Sequence, residues 1–156
     1  MNVWSSLRAG MAAGAAGTTA LNAVTYLDMA ARGRPASTVP EDAVRDLSDR
    51  SGVTIPGDDE ARENRQTGLG ALLGISTGVG IGAVLGMSRA FGLRPPAPAT
   101  ALIAGVGAMV GTDASMVALG ITDPRSWKAT DWLADVAPHL AYGAVTAAVL
   151  HGLERR

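Results

Sequence analysis

Apolar and polar positions fall into long blocks along this chain. Four apolar stretches, roughly 6–31, 67–91, 97–121 and 132–153, each reach the length of about 20 residues that a helix needs to cross a bilayer. Between the second and third lie Pro95, Pro96 and Pro98, and between the third and fourth Asp123-Pro124-Arg125, both strong helix breaks. Trp127 and Trp132 flank the start of the fourth stretch and Trp4 the start of the first, where interfacial aromatic residues collect. The pattern predicts an all-α, polytopic membrane protein of one domain with four transmembrane helices. Arg8 before an Ala/Gly run has a signal-peptide flavour, but the apolar run continues through Leu21, Val24 and Tyr26 and reads better as a span.

The stretch 33–66 differs in kind. It holds eight acids and five arginines and cannot span. Pro40-Glu41-Asp42 has the form of a helix start, with Pro early and acids in the first turn. Ser51-Gly52 and Pro56-Gly57 are turn signals. An extramembrane loop with one short helix and otherwise irregular chain is expected, and its acidic surface is a place for a protein partner to dock.

Glycine carries the second stretch: Gly70, Gly74, Gly78, Gly82 and Gly86 stand four residues apart. In water each costs roughly 1 kcal/mol of helix propensity relative to Ala. In a bilayer the unwound backbone has no partner, so the helix holds and the missing side chains let a neighbour approach. Successive glycines advance about 40° around the helix and form a slowly winding groove. Gly10 with Gly14, and Gly107 with Gly111, offer matching pairs on the first and third helices. The groove suits packing within a four-helix bundle or a seam between copies in a homo-oligomer. Gly17-Thr18-Thr19-Ala20 and Gly111-Thr112-Asp113-Ala114, with Gly70-Ala71 and Gly143-Ala144, hint at two similar helical hairpins.

Composition narrows the classes. Of 156 residues 47% are hydrophobic but only 4% aromatic, so the volume comes from Ala, Val, Leu and Gly. The net charge of −1 gives no basic field for nucleic acid. Cys is absent, which removes disulfides, thiolate nucleophiles and Cys-based metal sites. Of thirteen basic residues only Lys128 is Lys, a skew that goes with a high-GC bacterial genome. With four spans both termini share one side, which carries Arg8, Arg89, Arg94, Arg155 and Arg156 against the single acid Glu154. Those short basic segments favour cytoplasmic termini in a bacterial inner membrane, although the count of arginines around the loop pulls the other way.

Ionisable residues inside spans are costly and point to function by default. Here they are Asp28, Asp113, Asp135 and His139, with Asn22 and Thr25 in support. Because helices alternate in direction, all four fall in the half of the membrane nearest the long loop. The opposite half is expected to hold almost only Gly, Ala, Val, Leu and Met. On the fourth helix Asp135, His139, Tyr142 and Thr146 follow spacings of 4, 3 and 4, one helix face. Pro138 sits between Asp135 and His139 and loosens the helix there. A polar half-pocket that binds or passes a small ion or proton is the sharper reading. The plainer one pairs Asp28 with Arg32, makes Asp131 the N-cap of the fourth helix and lets His139 hydrogen-bond across the bundle. No HxxxH or ExxH spacing supports a metal, and no cofactor is expected. Gly78-Val79-Gly80-Ile81-Gly82 lacks a preceding strand, and Ser76, Ser88 and Ser115 sit in no nucleophile motif, so an enzyme is not expected.

Three strings stand out together: Asp28-Met29-Ala30-Ala31-Arg32-Gly33-Arg34-Pro35-Ala36-Ser37, Thr122-Asp123-Pro124-Arg125-Ser126-Trp127, and Asp135-Val136-Ala137-Pro138-His139-Leu140-Ala141-Tyr142-Gly143. Over most of the chain it resembles a group of small, uncharacterised four-span integral membrane proteins of actinobacteria. The resemblance implies a multi-pass inner-membrane protein and brings no activity and no catalytic residues. Asp28, Asp135 and His139 lie inside the recognisable strings. The alternative to ion or proton passage is a non-catalytic scaffold, assembly or lipid-contact subunit whose acidic loop docks a partner.

Overall fold

The computed structural model describes residues 2–155. Among them are five helices and one 3₁₀ turn: α1 (Val3–Arg32), α2 (Val39–Ser51), α3 (Asp59–Ala90), α4 (Ala97–Ala118), the turn Pro124–Ser126 and α5 (Ala129–Glu154). Each boundary has a local cause. The Asn2 side chain accepts from the Ser5 N–H at 2.8 Å to open α1, and Gly33 closes it in the left-handed region at φ 62°. Pro40, Glu41 and Asp42 stand in the first turn of α2, and Gly52 at φ 69° ends it. Asp58 caps α3 by accepting from the Ala61 N–H at 2.9 Å. Pro95 and Pro96 precede α4.

α3 begins two turns earlier than the apolar pattern implied. Asp58-Asp59-Glu60 is a helix start of the same acidic type as Glu41-Asp42, and Arg62 pairs with Asp59 at 2.9 Å. The charged segment therefore holds α2 and the first turns of α3. The two pack together: Ala43 and Val44 are buried, and Gly70 lies under Pro40, where a Cβ would come within 3.0 Å of the Pro40 carbonyl carbon.

Three helices, α3, α4 and α5, are long and apolar enough to cross a membrane. α1 is long enough, but it does not join that set. It packs against both α3 and α5, while α3 and α4 scarcely touch. Its inward face is Ser6, Ala9, Gly10, Ala13, Gly14, Gly17 and Thr18, small residues of low hydropathy chosen for close approach.

Glycines make the approach possible at α1–α3. A Cβ on Gly82 would sit 2.5 Å from the Gly14 Cα, and one on Gly14 would sit 2.5 Å from the Gly78 carbonyl oxygen. Gly86 likewise faces Gly10. Gly143 of α5 meets Gly105 of α4 in the same way. The residues with bulk lie mostly outside. The core is Ala9, Ala13, Ala104, Ala108, Ala147, Tyr142 and Leu150, whereas Val84 is 66% exposed, Leu72 60% and Leu102 58%. A water-soluble fold places its large apolar side chains the other way.

Candidate functional site

α5 starts at Ala129 with Lys128 as N-cap. Asp131, expected as the cap itself, instead accepts from the Lys128 N–H at 2.9 Å, the third-residue half of a capping box. One turn further stand Asp135 and His139. His139 Nδ1 lies 2.8 Å from the Asp135 carbonyl oxygen and 3.2 Å from its Oδ1. A main-chain carbonyl only accepts, so Nδ1 carries the proton and Nε2 is left to take or give one. Asp113 comes from the second half of α4 and faces both Asp135 and His139. Asp135 Oδ2 is buried without a hydrogen-bond partner among the described residues. Two facing carboxylates repel unless a proton or a cation lies between them, and a buried acceptor without a partner is costly. One proton shared between the two carboxyls relieves that repulsion.

Not every polar residue read from the sequence joins this cluster. Asp28 turns to the end of its own helix, pairing with Arg32 Nε at 2.7 Å and Arg34 Nε at 2.5 Å. The plainer reading of Asp28 is thus the one seen, with Arg34 as a second partner. Asn22 takes part in no side-chain hydrogen bond among the described residues. Tyr142 points into the bundle rather than along the Asp135–His139 face: its hydroxyl donates to the Gly78 carbonyl at 2.7 Å, tying α5 to α3. Thr146 is fully buried beside it, against Gly17.

The glycines divide in the same way. Gly78, Gly82 and Gly86 meet α1, and Gly70 meets α2. Gly74, Gly107 and Gly111 have no neighbour within 4 Å of a Cβ built on them, so they pack no helix within this chain. Gly74 lies on the outer side of α3, and the matching glycine on α4 is Gly105, two residues before the expected pair. Gly17 and Gly111, likened as repeat positions, also differ: Gly17 lies under Thr146 and Tyr142, and Gly111 is open.

A second polar cluster occupies the opposite end, whose half of the membrane was expected to hold almost only Gly, Ala, Val, Leu and Met. Arg89, at the end of α3, is 3% exposed. Its Nη1 donates to Glu154 Oε2 at 2.5 Å and its Nη2 to Thr100 Oγ1 at 2.9 Å. Arg89 Nη2 also lies 2.7 Å from His151 Nε2. A guanidinium only donates, so His151 Nε2 accepts and its proton sits on Nδ1. Thr100 passes its own proton toward the Pro95 or Pro96 carbonyl. Sequence offered one signal: Glu154 is the lone acid among the basic residues at that end. Several hydroxyls within the apolar helices satisfy themselves locally, whereas the buried Thr146 Oγ1 has no hydrogen-bond partner among the described residues. Thr18, Thr77, Thr112 and Ser115 each donate to the carbonyl four residues back.

Among the described residues, no group of three or more His, Asp or Glu side chains is arranged to hold a metal ion. No family model, curated protein or solved structure matches the chain.

Proposed function

We propose that this chain is a small multi-pass membrane protein that binds or passes a proton or small monovalent cation at Asp113, Asp135 and His139. The unpartnered, buried Oδ2 of Asp135 beside a second carboxylate carries the reading. His139, with its proton held on Nδ1, presents Nε2 as the exchangeable group. In this reading α1 is the fourth span, shielded from lipid on two sides by α3 and α5, and the chain lies in a bacterial inner membrane with its termini cytoplasmic. Pro138 leaves the Ala134 carbonyl without its usual N–H partner, a further oxygen near the site. The protein is not an enzyme. The open glycines Gly107 and Gly111 of α4 and Gly74 of α3 are then available to a second copy.

Proteoliposomes test the reading. Asp113→Asn and His139→Ala should each slow dissipation of an imposed pH gradient or cation gradient by about a hundredfold, the usual weight of a positioned proton-transfer group. Wild-type flux in both variants overturns it.

A scaffold role has one observation of its own. Val53, Ile55 and Pro56 form an apolar groove with Leu69 and Leu72 at the junction of α2 and α3, a surface for a protein partner. Deletion of 40–60 should then lose a co-purifying protein while flux and helical content persist.

A further inference from the structure

A second groove, of about 340 Å³, runs between the end of α1 and the start of α5. Val24, Leu27 and Ala31 form one wall, and Leu133, Ala137 and Pro138 the other. The walls are apolar and open to the side, the shape of a channel for a hydrocarbon chain and not for an ion. Its floor holds no part of the Asp113–Asp135–His139 cluster. Its one charged lining residue is Asp28, which in turn holds Arg32 and Arg34 beside the groove.

The charge there does not balance. Arg32 and Arg34 share the single carboxylate of Asp28, so the trio carries a net charge of +1. The bonds to Asp28 use Arg32 Nε and Nη2 and Arg34 Nε, and Arg34 Nη1 donates to the Pro35 carbonyl. Arg32 Nη1 and Arg34 Nη2 make no hydrogen bond among the described residues. Both side chains remain partly open, 32% and 23% exposed. Asp28 thus acts as a bracket that fixes two guanidiniums side by side, each with donors to spare. Paired guanidiniums match a phosphate diester. Trp127 and Trp132, stacked edge to face at 5.0 Å before and at the start of α5, mark the same end as the headgroup level.

We infer that this groove binds one anionic phospholipid, its acyl chain lying between α1 and α5 and its phosphate held by Arg32 and Arg34. The inference rests on the membrane reading but not on ion passage. An anionic lipid is favoured over a zwitterionic one because the bracket's surplus positive charge is met only by a lipid with net negative charge. Asp28 is then a positioning residue for the two arginines.

Native mass spectrometry of the detergent-solubilised full chain tests this, with dioleoyl phosphatidylglycerol against dioleoyl phosphatidylcholine. Wild type should retain one phosphatidylglycerol in preference to phosphatidylcholine. Arg34→Gln should lower the phosphatidylglycerol affinity about fivefold and the double variant Arg32→Gln/Arg34→Gln about thirtyfold, with a smaller loss for phosphatidylcholine, which carries the same phosphate diester but no net charge. Ala137→Trp, which fills the groove, should reduce both lipids. Equal retention of the two lipids by wild type, phosphatidylglycerol held by the double variant as by wild type, or no effect of Ala137→Trp each overturns the site. Should the double variant lose its helical circular dichroism, Arg34→Gln decides, since Arg32 still pairs with Asp28 in it. A chain that stays in solution without detergent defeats the membrane reading instead, so the two failures are distinguishable.

Discussion

The two ends of the bundle carry the same kinds of residue and treat them differently. At one end Arg89, Glu154, His151 and Thr100 close on one another, with the Arg89 guanidinium donating to the other three. At the other, Asp113, Asp135 and His139 bring two acids and an imidazole together and leave a buried oxygen without a partner. Both sets are expensive to remove from water. The first offsets that cost within the chain and acts as a clasp joining α3, α4 and α5. The second leaves one buried acceptor unmet, and under the proposed function a proton or small cation completes it. Buried charge alone does not separate a structural network from a site; the added feature here is an unmet carboxylate oxygen beside a second carboxylate.

The largest expected effect breaks the clasp. Arg89→Ala strips the mostly buried Glu154 of its ion-pair partner and should destabilise the bundle by about 3–5 kcal/mol. Thermal unfolding in detergent measures it, and the double variant Arg89→Met/Glu154→Met should recover most of the loss. Next comes the glycine contact between the two ends. Gly82→Leu drives a side chain into the α1 backbone and should cost at least about 1–3 kcal/mol. Gly107→Leu, into open space, should leave the monomer's melting unchanged; equal damage from both would show that α4 packs against something within the chain.

Smaller effects sharpen the contrast. Tyr142→Phe removes one buried hydrogen bond to Gly78 and should cost about 1 kcal/mol in the same melting assay. The weakest lies in the α4–α5 loop. Arg125 beside Asp123 holds its carboxyl below the ordinary 3.8. A depressed value stabilises the loop above the ordinary carboxylate range and loses that support as pH falls through the folded value. Trp127, whose Nε1 donates to Thr122 at 3.0 Å in the same loop, should report the change as a fluorescence shift on acidification below about pH 4, absent in Arg125→Gln.

Much of the frame was legible in the sequence. Helical character, the proline breaks and the helix start at Pro40 follow from local chemistry. The pairing of Asp135 with His139 follows from a spacing of one turn. What was not legible depended on partners far along the chain. Arg34 lies beyond the end of α1, so its claim on Asp28 needed the backbone reversal at Gly33. Arg89 and Glu154 are separated by the whole of α4 and α5, and only the folded bundle brings them together. The glycine run shows the same limit: period four marked a close approach, but which glycines meet α1, which meets α2 and which face outward depends on how the neighbouring helices cross. The apolarity of α1 was overrated because Ala and Gly lengthen an apolar run without making it strongly hydrophobic.

Asp135→Asn, measured for flux and melting on one reconstituted preparation, bears most directly on the claim that the loop-side cluster is a site and not a second clasp. An amide keeps the shape and removes the charge, so melting should stay within about 1 kcal/mol of wild type while flux falls by about a hundredfold. Unchanged flux, or flux lost only together with the fold, would contradict it.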